Sequence, residues 1–154
     1  MARKTTTPIS IGLKRRKVFI DTGGWISVEW QNDKYHVRGS AYYLDLIRSG
    51  AQLRTSDYVL DETITRLRYD VDLETAEDCW QRIKEAEKTG RLIVLDIDGS
   101  VREEAFEILR KYRDQKFSFT DCTSFVLAQR EQVDEVFAFD GHFRQFGLIV
   151  FPVV

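Results

Sequence analysis

Apolar positions recur along the chain in two spacings. Val18-Phe19-Ile20, Leu92 to Leu95 and Val136-Phe137-Ala138-Phe139 are unbroken runs, too short for helices and too apolar for a half-solvated sheet, which predicts buried strands. A further strand is expected around Gln52 to Thr55, and Leu148 to Val154 supplies a last one that Pro152 places at a sheet edge. Between these runs the apolar residues return every three or four positions. Trp25 to Trp30 reads as a short helix after the tight turn Asp21-Thr22-Gly23-Gly24. Tyr35 to Ser49 turns Val37, Ala41, Leu44 and Ile47 inward and is closed by Gly50. Tyr58 to Tyr69, capped by Ser56 or Asp57, carries the stripe Leu60, Ile64, Leu67 and Val71. Asp72 opens a helix to about Lys88 with Ala76, Cys79, Trp80, Ile83 and Ala86 inward, and Gly90 ends it. Ser100 and Glu103 have the spacing of a capping box for a helix from Val101 to about Arg113, with Val101, Ala105, Ile108 and Leu109 inward. Short buried strands alternating with helices predict an α/β domain of three layers, α/β/α, around a central, mostly parallel sheet of about five strands.

The stretch from Phe117 to Phe143 concentrates the chemistry. Phe117-Ser118-Phe119-Thr120 leads Asp121 into an apolar helix, Cys122 to Ala128, on which Asp121 shares a stripe with Phe125 and Ala128. A carboxylate on an inward stripe needs a partner. Asp140 ends the apolar run that follows, and Asp21 ends the first one, although an acid in that position is also a common helix N-cap. Ligands of open α/β sheets bind beyond the carboxyl ends of the strands. If the first and fourth strands are neighbours, Asp21, Asp121 and Asp140 meet there. Their mutual repulsion then calls for a divalent cation, Mg²⁺ or Mn²⁺, whose oxygen ligands suit phosphate chemistry. Glu62 lies off the stripe of its helix, and periodicity assigns it an ion pair with Arg66 four residues on.

Four motifs stand in register: Val18-Phe19-Ile20-Asp21-Thr22, Val59-Leu60-Asp61-Glu62-Thr63, Phe117-Ser118-Phe119-Thr120-Asp121-Cys122-Thr123-Ser124-Phe125 and Phe139-Asp140-Gly141-His142-Phe143. Together, over about residues 17 to 152, they resemble the PIN domain family, and within it the VapC-type toxin ribonucleases and their stand-alone relatives. The resemblance implies a metal-dependent endoribonuclease that hydrolyses RNA phosphodiester bonds and is the toxin of a type II toxin-antitoxin pair. Asp21, Glu62, Asp121 and Asp140 would surround one or two Mg²⁺ or Mn²⁺ ions. Thr22, Ser118, Thr120 and Ser124 match polar positions beside such sites. A small antitoxin protein and a homodimer are further implications. The alternative within the same fold is a catalytically silent module that binds RNA or a protein; the presence of all four acids argues for activity, because unused like charges destabilise a fold.

Composition adjusts this picture at a few points. A chain of 154 residues with 43% apolar and 12% aromatic residues builds one core. Arg3, Lys4, Lys14, Arg15, Arg16 and Lys17 put six positive charges and no acid on the first seventeen residues, so the remainder of a chain whose net charge is −2 carries −8. This divides the chain into a basic arm, 1–16, and a nuclease domain, 17–154. The arm could touch nucleic acid or be a solvated terminus. Arg113, Lys116 and Arg144 flank the acidic linker and loop and are candidates for RNA phosphate contacts. Cys79 and Cys122 stand alone, and His36 and His142 are the only histidines, so neither a disulfide framework nor a zinc cluster is supported; the chain reads as reduced and cytoplasmic, with no membrane span. His142 is assigned a packing or surface role. Leu95-Asp96-Ile97-Asp98-Gly99-Ser100 resembles the nucleophile loop of haloacid dehalogenase-type phosphatases. Only fifty-four residues follow Ser100, however, and a helix cap at Asp98 or Ser100 accounts better for the acids.

Overall fold

In the computed structural model, which describes residues 14–154, Val18, Phe19 and Ile20 are all fully buried. Successive strand side chains point to opposite faces, so the centre of the sheet is covered by helices on both sides. These residues form β1 (Lys17–Ile20), flanked by β2 (Gln52–Ser56) and β4 (Glu135–Phe137), with β3 (Leu92–Leu95) and β5 (Val150–Phe151) at the two edges. Every neighbouring pair is parallel, and the order is β3-β2-β1-β4-β5. The chain builds outward from β1 to β3, then returns to the other side of β1 to place β4. The crevice beyond the carboxyl ends of β1 and β4 is therefore the topological switch point of the sheet. Register pairs Ile20 with Phe137, and the ladder continues one step further through the Asp21 amide, which donates to the Phe137 carbonyl at 3.0 Å.

The helices are α1 (Thr22–Glu29), α2 (His36–Arg48), α3 (Asp57–Asp70), α4 (Leu73–Lys88), α5 (Gly99–Lys111), α6 (Phe119–Arg130) and the short α7 (His142–Phe146). Of these, α6 is the interior one: every side chain from Asp121 to Ala128 is buried. The two cysteines are buried free thiols, and no helix among the described residues is long and apolar enough to cross a membrane.

Several elements differ in detail from the sequence reading. The residues expected to turn, Thr22-Gly23-Gly24, are the first turn of α1. A Cβ on Gly24 would stand 2.6 Å from the Phe137 carbonyl oxygen, so glycine here lets the helix lie directly on β4. On α2 the inward stripe is Gly39, Tyr42, Tyr43 and Leu46, while Val37 is 81% and Leu44 46% exposed. Each set lies along one face of the helix, and the aromatic one has more apolar surface to bury. Trp80 of α4 is also largely exposed. The cap of α5 is Asp98, whose Oδ1 accepts from the Val101 amide at 2.9 Å; Ser100 instead accepts from Arg130, and the Ser100–Glu103 box is not formed. That cap, together with the edge position of β3, removes the phosphatase alternative built on Asp96 and Asp98. Strand β4 stops at Phe137, so Asp140 lies in the loop beyond it.

Most of the basic arm lies outside the described residues. Its inner end is bound to the domain: Arg16 pairs with Asp45 at 3.1 Å and with the buried Glu135 of β4 at 3.4 Å, and Tyr42 also donates to Glu135.

Candidate active site

The site assembles at the switch point from four elements. Asp21 follows β1 in the N-cap position of α1, but its side chain makes no capping hydrogen bond, so the carboxyl is left to the crevice. Asp121 occupies the third position of α6. Ser118 caps that helix by accepting from the Asp121 amide at 2.9 Å, and Asp121 Oδ2 accepts from the Ser118 amide at 3.0 Å. This capping box fixes the carboxylate at a helix N-terminus, where the helix dipole favours negative charge. Glu62 projects from α3 and accepts a hydrogen bond from Thr22 Oγ1 at 3.2 Å. The ion pair with Arg66 that periodicity assigned to it is absent; Arg66 pairs with Asp70 at 3.8 Å. Asp140 Oδ1 accepts from the His142 amide at 2.7 Å, a two-residue side-chain turn that aims the acid.

His142, to which the sequence assigned a packing or surface role, also lies against two of the acids. Its Nδ1 lies 2.8 Å from Asp121 Oδ2 and 3.3 Å from Asp140 Oδ1, and ligand atoms of these three residues all fall within 4.8 Å of one another. The ring packs edge-on against Phe117, with centroids 5.5 Å apart. The one available signal was position: a histidine two residues past an acid at a strand end.

Asp21 and Glu62 stand outside this trio but share its electrostatics. The Asp21 carboxyl is pushed up to about 7, first by burial and then by the charge of Asp121, with Glu62 and Asp140 adding to it against the opposing Thr22 amide. Burial disfavours the charged form, and the neighbouring carboxylates add like charge that no side chain among the described residues offsets. A divalent cation supplies the missing compensation, and carboxylates are the ligands Mg²⁺ and Mn²⁺ take, so the residues present fit such an ion.

Thr22 and Ser118 thus orient two of the acids. Thr120 shares with Glu62 a recess of about 460 Å³ that Tyr58, Asp61, Thr65 and Arg66 complete. Ser124 is fully buried one turn along α6 from Asp121, and its Oγ finds no hydrogen-bond partner. Arg113 and Lys116 are exposed, while Arg144 donates to the Val150 carbonyl of β5 at 3.3 Å.

Residues 18–148 match the PIN domain. The chain belongs to the PIN domain family. Among relatives, the 23S rRNA-specific endonuclease VapC20 of Mycobacterium tuberculosis is 28% identical over 136 residues, covering 86% of this chain and 95% of that protein. The crystal structure of M. tuberculosis VapC20, described as a toxin that cleaves the sarcin-ricin loop, superposes on this PIN domain with a TM-score of 0.73 at 26% identity, over 86% of this chain and 96% of VapC20. VapBC2 from Rickettsia felis, bound to a DNA fragment from its promoter, shares the fold with a TM-score of 0.62 at 14% identity, covering 88% of this chain and 97% of its own.

Proposed function

We propose that this PIN domain is a divalent-metal-dependent endoribonuclease and the toxin of a type II toxin-antitoxin pair. The observation that carries the reading is the convergence of Asp21, Glu62, Asp121 and Asp140 on one crevice, where burial first and the neighbouring carboxylates second push the Asp21 carboxyl up to about 7. The likeness to VapC20, an RNA endonuclease by its description, supports RNA as the substrate class.

In this reading Asp21, Asp121 and Asp140, with Glu62 beside them, hold Mg²⁺ or Mn²⁺. When bound, such an ion supplies Lewis-acid activation of a phosphoryl oxygen and of the attacking water. The protein's own part is positioning. Ser118 locks Asp121 on the first turn of α6, Thr22 holds Glu62 across the crevice, Thr120 lines the recess beside Glu62, and Ser124 lies buried one turn along α6 behind Asp121. Arg113, Lys116 and Arg144 lie in the segments beside the acids and are assigned RNA phosphate contacts; Arg144 keeps further donors after its bond to Val150. The antitoxin and the homodimer belong to the same proposal. Exposed Ile149, Val153 and Val154 beside the β5 edge give a second copy apolar surface to cover.

The test is cleavage of RNA by the purified protein and its Asp21→Asn and Asp121→Asn variants, with Mn²⁺ or with chelator. Wild type is expected to cut only with the ion, and either variant to lose at least about a hundredfold in rate. Undiminished cleavage by folded variants overturns the assignment. Wild-type protein that binds RNA without cutting it in the presence of either ion supports the silent module instead.

A further inference from the structure

We infer that His142 is itself a ligand of the catalytic ion, and that this nitrogen makes the site select Mn²⁺ over Mg²⁺. The inference rests on the acidic site proposed above and adds to it a residue that an all-carboxylate site does not require.

Three observations converge on the ring. First, the separations of 2.8 and 3.3 Å from Nδ1 to Asp121 Oδ2 and Asp140 Oδ1 bracket the roughly 3 Å between neighbouring corners of an octahedron with bonds of about 2.1 Å. Second, the imidazole is held from both ends. Its backbone amide is tied to Asp140, and its face is set by Phe117, so Nδ1 reaches the carboxylates without a change of fold. Third, the side chain is 28% exposed, so an ion and its waters can reach the nitrogen from solvent.

A surface histidine forming an ordinary ion pair needs only one of the two acids. Here the same nitrogen is directed at both, where an ion coordinated by the two carboxylates would present its next open position.

The choice of ion follows from the donor. Mg²⁺ is hard, takes oxygen ligands and gives up its waters reluctantly. Imidazole favours transition ions, whose affinity for a mixed nitrogen and oxygen site rises from Mn²⁺ through the first-row series. Replacing one oxygen donor by nitrogen therefore weakens Mg²⁺ relative to Mn²⁺. The other histidine of the chain, His36, is engaged elsewhere, with Nδ1 2.8 Å from the Ser27 carbonyl oxygen.

Mn²⁺ bound to the full-length protein is paramagnetic, and electron spin echo modulation reads ¹⁴N nuclei on its ligands directly. A nitrogen coupling is expected in wild type and in His36→Gln and lost in His142→Ala, with ¹⁵N-histidine labelling converting the signal to that of ¹⁵N. In competition titrations His142→Asn, which keeps an oxygen donor, is expected to lower the preference for Mn²⁺ over Mg²⁺ by about tenfold or more. Mn²⁺ that binds with no nitrogen coupling overturns the inference and leaves the acidic site standing. Mn²⁺ that does not bind wild type, or binds Asp121→Asn equally well, overturns both.

Discussion

Thr22 Oγ1 donates to Glu62 Oε2 at 3.2 Å, joining residues forty positions apart in sequence. The hydroxyl belongs to the first residue of α1 and is almost wholly buried. It therefore ties the acid carried by α3 to the start of α1, beside Asp21.

Thr22→Val keeps the shape and removes the donor. Stability is expected to fall by only about 0.5–1.5 kcal/mol, the usual net worth of one hydrogen bond, because Glu62 is half-buried and water can replace the partner. Mn²⁺ affinity is expected to fall by roughly 10–100-fold, as for other groups that orient a ligand, and Thr22→Ser to restore it. Urea unfolding and Mn²⁺ titration of the same samples check the pair of effects. Unchanged affinity in Thr22→Val would show that Glu62 needs no anchor.

Asp21 makes the ion-free protein sensitive to pH. Its carboxyl keeps a proton to about pH 7 in the fold, for reasons of burial first and of Asp121 next, against an ordinary value of 3.8. Between those values the folded state holds a proton that the unfolded chain has released. Stability from this group is therefore greatest at low pH, falls as pH rises through the window and levels off above about 7. The full loss is on the order of a few kcal/mol. Asp21→Asn is expected to abolish that slope, so the melting temperatures of variant and wild type in chelator should diverge from pH 5 to pH 8, with the variant the more stable. Added Mn²⁺ should rescue wild type alone. Parallel profiles in chelator would mean that the carboxyl is not held neutral.

Gly39 on α2 faces Ser27 on α1 so closely that a Cβ would stand 2.0 Å from Ser27 Oγ and 2.6 Å from Ser27 Cβ. Alanine in a helix is ordinarily better than glycine by about 0.5–1 kcal/mol. Here the clash wins, since Ser27 is fully buried and its hydroxyl is tied to the Gly24 carbonyl at 2.7 Å. Gly39→Ala is expected to destabilise by about 1–3 kcal/mol, and Ser27→Gly in the same chain to recover most of it. Thermal unfolding of both single variants and the double variant measures the coupling; additive effects would place the two helices further apart than they are.

Strands β1, β3 and β4 were legible because each is a short apolar run that ends abruptly at a turn or an acid. Asp21, Asp121 and Asp140 were legible because an acid at the end of such a run, or on an inward stripe, needs a reason to be there. Glu62 was not legible from its helix at all. Periodicity gave it to Arg66, and only its place among the motifs resembling PIN domains pointed to the site. On α2 the sequence contains two stripes at helical spacing, and periodicity says which residues share a face without saying which face meets the core.

What the amino-acid order determined by itself was local: which segments extend, which coil, and where charge sits in an apolar setting. What only the tertiary structure decided was every distance between segments. His142 meets Asp121, and Gly39 meets Ser27, because packing brings them together, and no spacing along the chain encodes a separation of a few ångströms across the fold.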